Sequence, residues 1–352
     1  MFLALKEIKH EKLRYGLIIS MVVLISYLIF ILTSLAQGLS GQNTEAIQTW
    51  HAQQIVLNKD SNISMRQSFI TKQQADDLHQ GKNDALIGQA GVVIKHSGNQ
   101  NVTGTFIGIK PNQYIYQDMK LTSGHMPQND HEIVADTSLE NNGYKLNQWV
   151  QLNSISQKYQ IVGFTKNAKI NISPIVYGRL SGWNAISNLN PNFVGNALVT
   201  KDSHYQVKST DLKAYSINDF INNLPGYTAQ NTTFEFMIGF LMVISLIVIA
   251  IFLYIITNQK LQNYAVLRAQ GIPAKTLVIN TISQSLILVI SGILIGAGLT
   301  YLTSVFIPEN VPMSFNIPVL SVVGIGLTLT SILGAILPVR TILKIDPIKV
   351  IG

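Results

Sequence analysis

The sequence predicts a membrane protein: four transmembrane α-helices, with a large extracellular α+β domain inserted between helices 1 and 2. Three observations predict it. Only 12% of the 352 residues are charged while 47% are hydrophobic, against about 25% charged in an ordinary soluble domain. Four runs, 15–36, 236–257, 276–305 and 317–339, contain no Asp, Glu, Lys, Arg or His, and each reaches the roughly 20 apolar residues that cross a bilayer. Between the first two lies a block of soluble composition, 37–235, long enough to build its own core.

Residues 1–14, "MFLALKEIKHEKLR", place Phe2, Leu5, Ile8 and Leu13 among lysines. That pattern suits an amphipathic helix on the inner membrane surface, and equally a positive anchor for the first span; the two readings are compatible. The first apolar run is longer than the 7–15 residues usual for a signal-peptide core, so it reads as a retained helix. Lysines and arginines then set the orientation. Lys6, Lys9, Lys12 and Arg14 precede the first span; Lys260, Arg268 and Lys275 lie between the second and third; Arg340, Lys344 and Lys349 follow the fourth. The 306–316 loop has none. Both termini and the 258–275 segment are therefore expected in the cytoplasm, and 37–235 and 306–316 outside. The net charge of +7 thus reports membrane orientation, not a nucleic-acid partner.

In the external block, short β-branched runs alternate with Asn, Gly, Asp and Ser turns: "QQIVLN", "AGVVIKH", "VTGTFIGI", "HEIVAD", "QWVQLNS", "YQIVGF", "SPIVYG" and "NALVTK". These predict strands. Helical pieces are expected at 71–80, opened by a Thr71/Gln74 capping box, and at 136–142 and 217–223. Mixed elements of this kind make an α+β domain. His51, His79, His96, His125, His131 and His204 form no spaced pair of the kind metal sites use, and read as solvated loop histidines. Asn-x-Ser/Thr matches at Asn62, Asn101, Asn171 and Asn231 read as chance. Cysteine is absent, which excludes disulfides, zinc-thiolate sites and Cys nucleophiles. No Gly-x-Ser-x-Gly, phosphate loop or acid pair offers a catalytic residue, an intrinsic cofactor or a metal site.

Transporters driven by protons or ions usually carry ionisable groups inside their spans, and these spans have none. Energy should therefore come from outside the chain. Asn280 and Gln284, four apart in the third span, read as an interhelical hydrogen-bond pair. Gly292 and Gly296, with Gly324, Gly326 and Gly334, allow close helix packing; they favour packing within the chain, and a homodimer is also expected. Glu235, in "TTFEFMIGFLM", has two readings. One is an acid at the positive end of the second helix. The other is a ligand contact at an outer-leaflet cleft with Tyr227, Met237 and Met242, the last of these on the same helix face as Glu235.

The 258–275 segment, "NQKLQNYAVLRAQGIPAK", carries Leu261, Tyr264, Ala265 and Arg268 at helical spacing. Gly271 stands where a left-handed C-cap is wanted, and Pro273 forbids continuation. The result is a short cytosolic helix, too small to be catalytic, that a partner must grip.

"AVLRAQGIPAKTL" resembles the coupling segment between the second and third helices of FtsX/MacB-type ABC permeases. "GAILPVRTILKIDPIKVIG" resembles their closing motif, at Gly334, Ala335, Pro338, Asp346 and Pro347. "LTSGHMPQNDHEIVADTSLENNGYKLNQWVQL" followed by "YQIVGF" is similar to their external core domain. It departs at Asn147-Gln148, where Gly-Asp is usual. "LALKEIKHEKLRYGLI", "LTSLAQGL", "FLYIITNQK" and "VPMSF" further resemble the hemin-exporter permeases of Gram-positive bacteria, within the same superfamily. The resemblance covers essentially the whole chain. It implies a non-enzymatic permease of a bacterial cell membrane. Its dimer would engage a cytosolic HrtA-like ABC ATPase through Leu261, Tyr264, Leu267, Arg268, Gln270 and Gly271, with the ATP bound by that partner. Its cargo would be heme, entering from the outer leaflet and leaving outward. The resemblance leaves room for an FtsX-like role, in which the external domain transmits force to a cell-wall hydrolase, or for export of a lipid, lipoprotein or peptide.

Overall fold

The structure, a computed structural model, describes residues 11–308 and 311–345. Most of the expected 1–14 helix, including Phe2, Leu5 and Ile8, lies outside the described residues, as do Asp346 and Pro347. The described chain divides into two units. One comprises residues up to Gly38 together with those from Asn231 onward; the other is Leu39–Gln230.

Helix α1 is Lys12–Thr49. It outlasts the apolar run, expected to end at 36, because "QGLSGQNTEAIQT" contains no proline. Its polar side chains also bond back to the preceding turn: Asn43 Nδ2 donates to Leu39 O at 3.0 Å and Thr44 Oγ1 to Ser40 O at 3.1 Å. His51, with φ of 51°, ends it.

The Leu39–Gln230 unit is the α+β domain. Its elements in order are β1 (Gln54–Asn58), β2 (Ile70–Thr71), α2 (Lys72–Asp77), β3 (Asp84–Lys95), β4 (Val102–Ile109), α3 (Tyr114–Asp118), β5 (Leu121–Gly124), β6 (Glu132–Asp136) and α4 (Ser138–Asn141). There follow β7 (Trp149–Leu152), β8 (Lys158–Thr165), β9 (Lys169–Ile170), β10 (Ser173–Arg179), α5 (Leu180–Ser187), β11 (Phe193–Gly195), β12 (Ala197–Thr200), β13 (Leu212–Ser216) and α6 (Ile217–Asn222). Eleven strands form one mixed sheet along the path β13-β1-β12-β3-β4-β10-β6-β8-β5, with β7 and β9 beside it, while β2 and β11 pair separately. β4/β10 and β6/β8 are parallel.

The sheet is buried on both faces. Successive residues of one strand enter two different cores: Leu86, Ala135, Val176 and Leu198 one, Ala85, Val134, Ile175 and Val199 the other. Period-two side-chain direction therefore gives near-continuous apolar strands, not alternating ones. α5 covers the first face through Trp183, which is fully buried. It lies so close that a Cβ on Gly88 would stand 2.6 Å from the indole. The end of α1 contributes Ala46 and Ile47 to the second core, and Trp50 just beyond it joins them. The Thr71 capping box is present: Gln74 N–H donates to Thr71 Oγ1 at 3.2 Å, and Thr71 N–H to Gln74 Oε1 at 2.9 Å.

The other unit continues with α7 (Tyr227–Gln259), α8 (Leu261–Ala269), α9 (Ala274–Phe306), α10 (Ile317–Gly334) and α11 (Ile336–Leu343). The stretches 12–49, 227–259, 274–306 and 317–343 are long and apolar enough to cross a membrane, so the protein is multi-pass. The last of them is interrupted: Gly334 ends α10, and the helix resumes at Ile336. Small residues set the packing. A Cβ on Gly292 would meet Val22 of α1 at 2.5 Å, and one on Gly334 would meet Ala250 N and Leu246 O of α7 at 3.3 Å. Gly296 likewise faces Ser26 of α1. The Gly292/Gly296 motif is thus used within the chain, and Ser26 Oγ, 3.3 Å from Gly292 O, ties the same two helices. Asn280 and Gln284 are both buried, but the expected pair does not form: neither amide atom of Asn280 has a hydrogen-bond partner.

Candidate functional site

α7 stops at Gln259 because Lys260 leaves the helical path, with φ of −95° and ψ of 6°. The Lys260 side chain turns inward, where Nζ donates to Tyr15 Oη at 3.0 Å. α8 then runs for nine residues and closes in a Schellman motif: Gly271 N–H donates to Arg268 O at 3.1 Å and Ile272 N–H to Leu267 O at 3.0 Å. Those are the two bonds that satisfy the last carbonyls of such an end. The motif requires a left-handed residue, and Gly271 supplies φ of 89°. Ile272 and Leu267 also pack into the same apolar cluster. Pro273 then starts α9 as its N-cap residue.

One face of α8 belongs to the chain itself. Tyr264 and Ala265 are buried against Leu277 of α9, Ile342 of α11 and Ile345, with Leu261 and Leu267 at the margin. Tyr264, expected at the partner surface, is therefore an anchor that a partner cannot reach. Of the expected coupling set, Gln270 and Gly271 are exposed and Arg268 is half-buried, with no ion pair among the described residues. Gln262, Asn263, Val266 and Ala269 complete the exposed face. Helical phase assigns them once Tyr264 and Ala265 are known to be the buried side.

The residues expected at an outer cleft do not form one cluster. Tyr227 opens α7, and its hydroxyl lies 3.0 Å from Ser40 Oγ. Glu235 does not open the helix, as expected from its dipole, because α7 begins two turns earlier. Its side chain is exposed, on a shallow depression lined by Phe236, Gly239, Phe240 and Val243. Met237 is exposed. Met242 is half-buried and turned to α10, with Cε 3.5 Å from where a Gly326 Cβ would stand. Of the closing motif, Gly334 makes the close approach to α7 and Pro338 is buried in α11.

The α+β domain holds a cleft of about 640 Å³ that no sequence signal announced, lined in part by Trp50, Tyr114, Lys166 and Tyr177. Trp50 Nε1 donates to Tyr177 Oη at 3.1 Å, while the buried Tyr114 hydroxyl has no partner. Burial pushes both phenols above their ordinary range, and Asp84 and Asp118 push Tyr114 the same way. Among the described residues, no three His, Cys, Asp or Glu side chains come together to hold a metal.

The chain is similar over its whole length to two proteins from Staphylococcus epidermidis strains, each named "Putative hemin transport system permease protein HrtB". Identity is 27% over 352 residues, covering 100% of this chain and 99% of theirs. A protein of the same name from Staphylococcus haemolyticus is 23% identical over 355 residues, with the same coverage. Among solved structures, the periplasmic region of MacB from Actinobacillus actinomycetemcomitans aligns with 52% of this chain and 95% of its own, at 15% identity and a TM-score of 0.36. The extracellular domain of YknZ from Gram-positive bacteria aligns with 46% and 84%, at 13% identity and a TM-score of 0.30. Residues 235–347 match the family described as FtsX-like permease C-terminal. Those residues hold most of α7, the α8 projection and the two helices that grip it, so the similarity to FtsX-like permeases that the family model detects lies in the membrane part of the chain.

Proposed function

We propose that the chain is the permease subunit of an ABC-type efflux system that exports hemin from the membrane. A separate HrtA-like cytosolic ATPase binds the ATP and supplies the energy. The observation that carries the reading is α8. It is a helix of fixed length, anchored by Tyr264 and Ala265 to α9 and α11, that keeps Val266, Gln270 and Gly271 exposed. A partner that displaces it moves two further helices with it. The charge-free spans support an external energy source, and the names of the full-length staphylococcal relatives support hemin as the cargo.

In this reading the termini and α8 are cytoplasmic, the α+β domain is outside, and the working unit is a homodimer in a bacterial cell membrane. The exposed apolar depression at Glu235, with Phe236 and Phe240 beside it, takes the hydrophobic cargo from the outer leaflet. The experiment is growth in toxic hemin after deletion of the gene, with complementation. Deletion is expected to lower tolerance and raise cell-associated heme. Unchanged tolerance and heme content would overturn the cargo assignment. Co-purification with an ATPase, lost in Arg268→Glu, tests the coupling separately.

A further inference from the structure

α9 and α10 do not close on each other along their whole length. A groove of about 470 Å³ runs between them. On α9 its wall is a single stripe, Ile290, Ile293, Leu294, Ala297, Tyr301 and Ser304, at the three- and four-residue spacing of one helix face. At 1.5 Å per residue that stripe is about 20 Å long, somewhat more than the ~15 Å of one hydrocarbon leaflet. α10 supplies the facing wall through Leu320, Ser321, Ile325 and Thr328, and Phe30 of α1 adds to the lining. The groove exists because Gly324 and Ala297 have too little side chain to fill it. A Cβ on Gly324 would meet Ile293 Cγ2 at 3.7 Å and Phe30 Cζ at 3.8 Å, both ordinary contacts.

The lining is graded. Thr300 and Thr328 hydroxyls are turned back onto the carbonyls of Gly296 and Gly324, each at 2.9 Å, so they present methyl groups. The hydroxyls of Tyr301 and Ser321 make no hydrogen bond among the described residues, and they sit toward the end of the groove nearest the α9–α10 connection, as do Phe315 and Ile317. That end lies at the limit of the apolar span, where an amphipathic ring such as tyrosine settles at the headgroup level. Among the described residues, no charged side chain lines the groove.

We propose that this groove holds one acyl chain of a membrane glycerolipid as a resident ligand. The chain lies along Ile293, Gly324 and Thr328, and its ester carbonyl accepts from Tyr301 Oη or Ser321 Oγ. The surroundings of a spanning helix pair are hydrocarbon, and a groove this narrow and long takes a single flexible chain more readily than a second helix. The uncharged lining among the described residues offers a carboxylate-bearing cargo such as hemin no cation, and a site that grips the acyl chain should not discriminate between headgroups. The inference does not rest on the transport reading.

The test is photolabelling of the full-length protein, reconstituted in phosphatidylglycerol vesicles that contain a trace of phosphatidylglycerol with a diazirine in one acyl chain. Adducts are mapped by peptide mass spectrometry. The expected result is several-fold enrichment on peptides 290–304 and 317–328 over the equally lipid-facing part of α7. That enrichment should fall to the α7 level in Gly324→Leu and in Ala297→Leu, and persist with phosphatidylcholine carrying the same label. An even spread of adducts in the wild type would show ordinary annular lipid and overturn the proposal. So would enrichment unchanged in a correctly folded filled variant, judged by circular dichroism and melting temperature. Displacement of the label by added hemin would reassign the groove to cargo, and loss of label that tracks dimer formation would reassign it to a second copy. If neither filled variant folds, the wild-type map and the hemin and dilution series decide.

Discussion

Lys260 Nζ donates to Tyr15 Oη at 3.0 Å, joining the end of α7 to the start of α1. Both residues are buried, Lys260 to 8% exposure and Tyr15 to 1%. A buried ammonium is tolerated only when its donors are satisfied. Tyr15→Phe keeps the ring and removes one acceptor, at an expected cost of about 1–3 kcal/mol. Thermal unfolding of the full chain in detergent should show a lower midpoint. In a Lys260→Met background the same Tyr15→Phe change should cost less, because the bond between the two side chains is already gone.

The two faces of α8 should separate in experiment. Val266→Glu puts a charge on the exposed side and should leave the melting temperature unchanged while abolishing ATPase co-purification. Tyr264→Ala empties the buried side and should lower stability by roughly 3–5 kcal/mol, the usual cost of truncating a large buried side chain. A Val266→Glu protein that still holds the ATPase would move the docking surface off this helix.

Gly271→Ala tests the stop. Nothing lies within 4 Å of the added methyl, so the whole effect comes from forcing an L-residue to φ of 89°, about 1 kcal/mol. Global stability should scarcely change, while hydrogen exchange across 265–272 should speed up.

Two glycines of α9 should respond oppositely. Gly292→Leu drives a side chain into Val22, whose Cγ1 would lie 2.5 Å from the new Cβ. It should cost about 1–3 kcal/mol or more, as overpacking does. Gly298 has open space, and Gly298→Ala should be neutral or slightly stabilising through helix propensity. Melting temperatures of the two variants side by side provide the check.

Asn280 has both amide atoms buried without a partner. Asn280→Leu, of similar size, should raise the melting temperature, since an unsatisfied buried polar group costs about 1–3 kcal/mol. A fall would mean that the amide has a partner in the membrane.

What the sequence made legible follows from how local each signal is. All eight strand segments read from β-branched runs are strands, and the Thr71/Gln74 cap forms, because both depend on neighbours a few residues apart. Gly271 and Pro273 act as read for the same reason. The strands missed, β2, β5, β9, β11 and β13, have two to five residues; all but β9, which turns straight into β10, pair with partners distant in the chain. The overshoot of α1 to Thr49 was hidden because hydropathy ends at Ala36 while helical hydrogen bonding does not. Glu235 was misplaced by the same blindness at the other end, since "YTAQNTT" is polar yet helical. Which face of α8 turns inward depends on Ile342 and Leu277, and no pattern within nine residues reveals that. The cleft at Tyr114 and the groove at Gly324 are gaps between elements, which a sequence read segment by segment does not contain.

The joint between α8 and α9 has no slack. Gln270 caps, Gly271 is locked by its hydrogen bond, Ile272 is packed and Pro273 is fixed by its ring. A loop of loose residues there would absorb a small displacement as its own bending. This one leaves little room for that: α8, α9 and α11 meet in one apolar cluster, so in the proposed reading a push at Val266 would reach Leu277 and Ile342 through packed side chains and not through a slack loop.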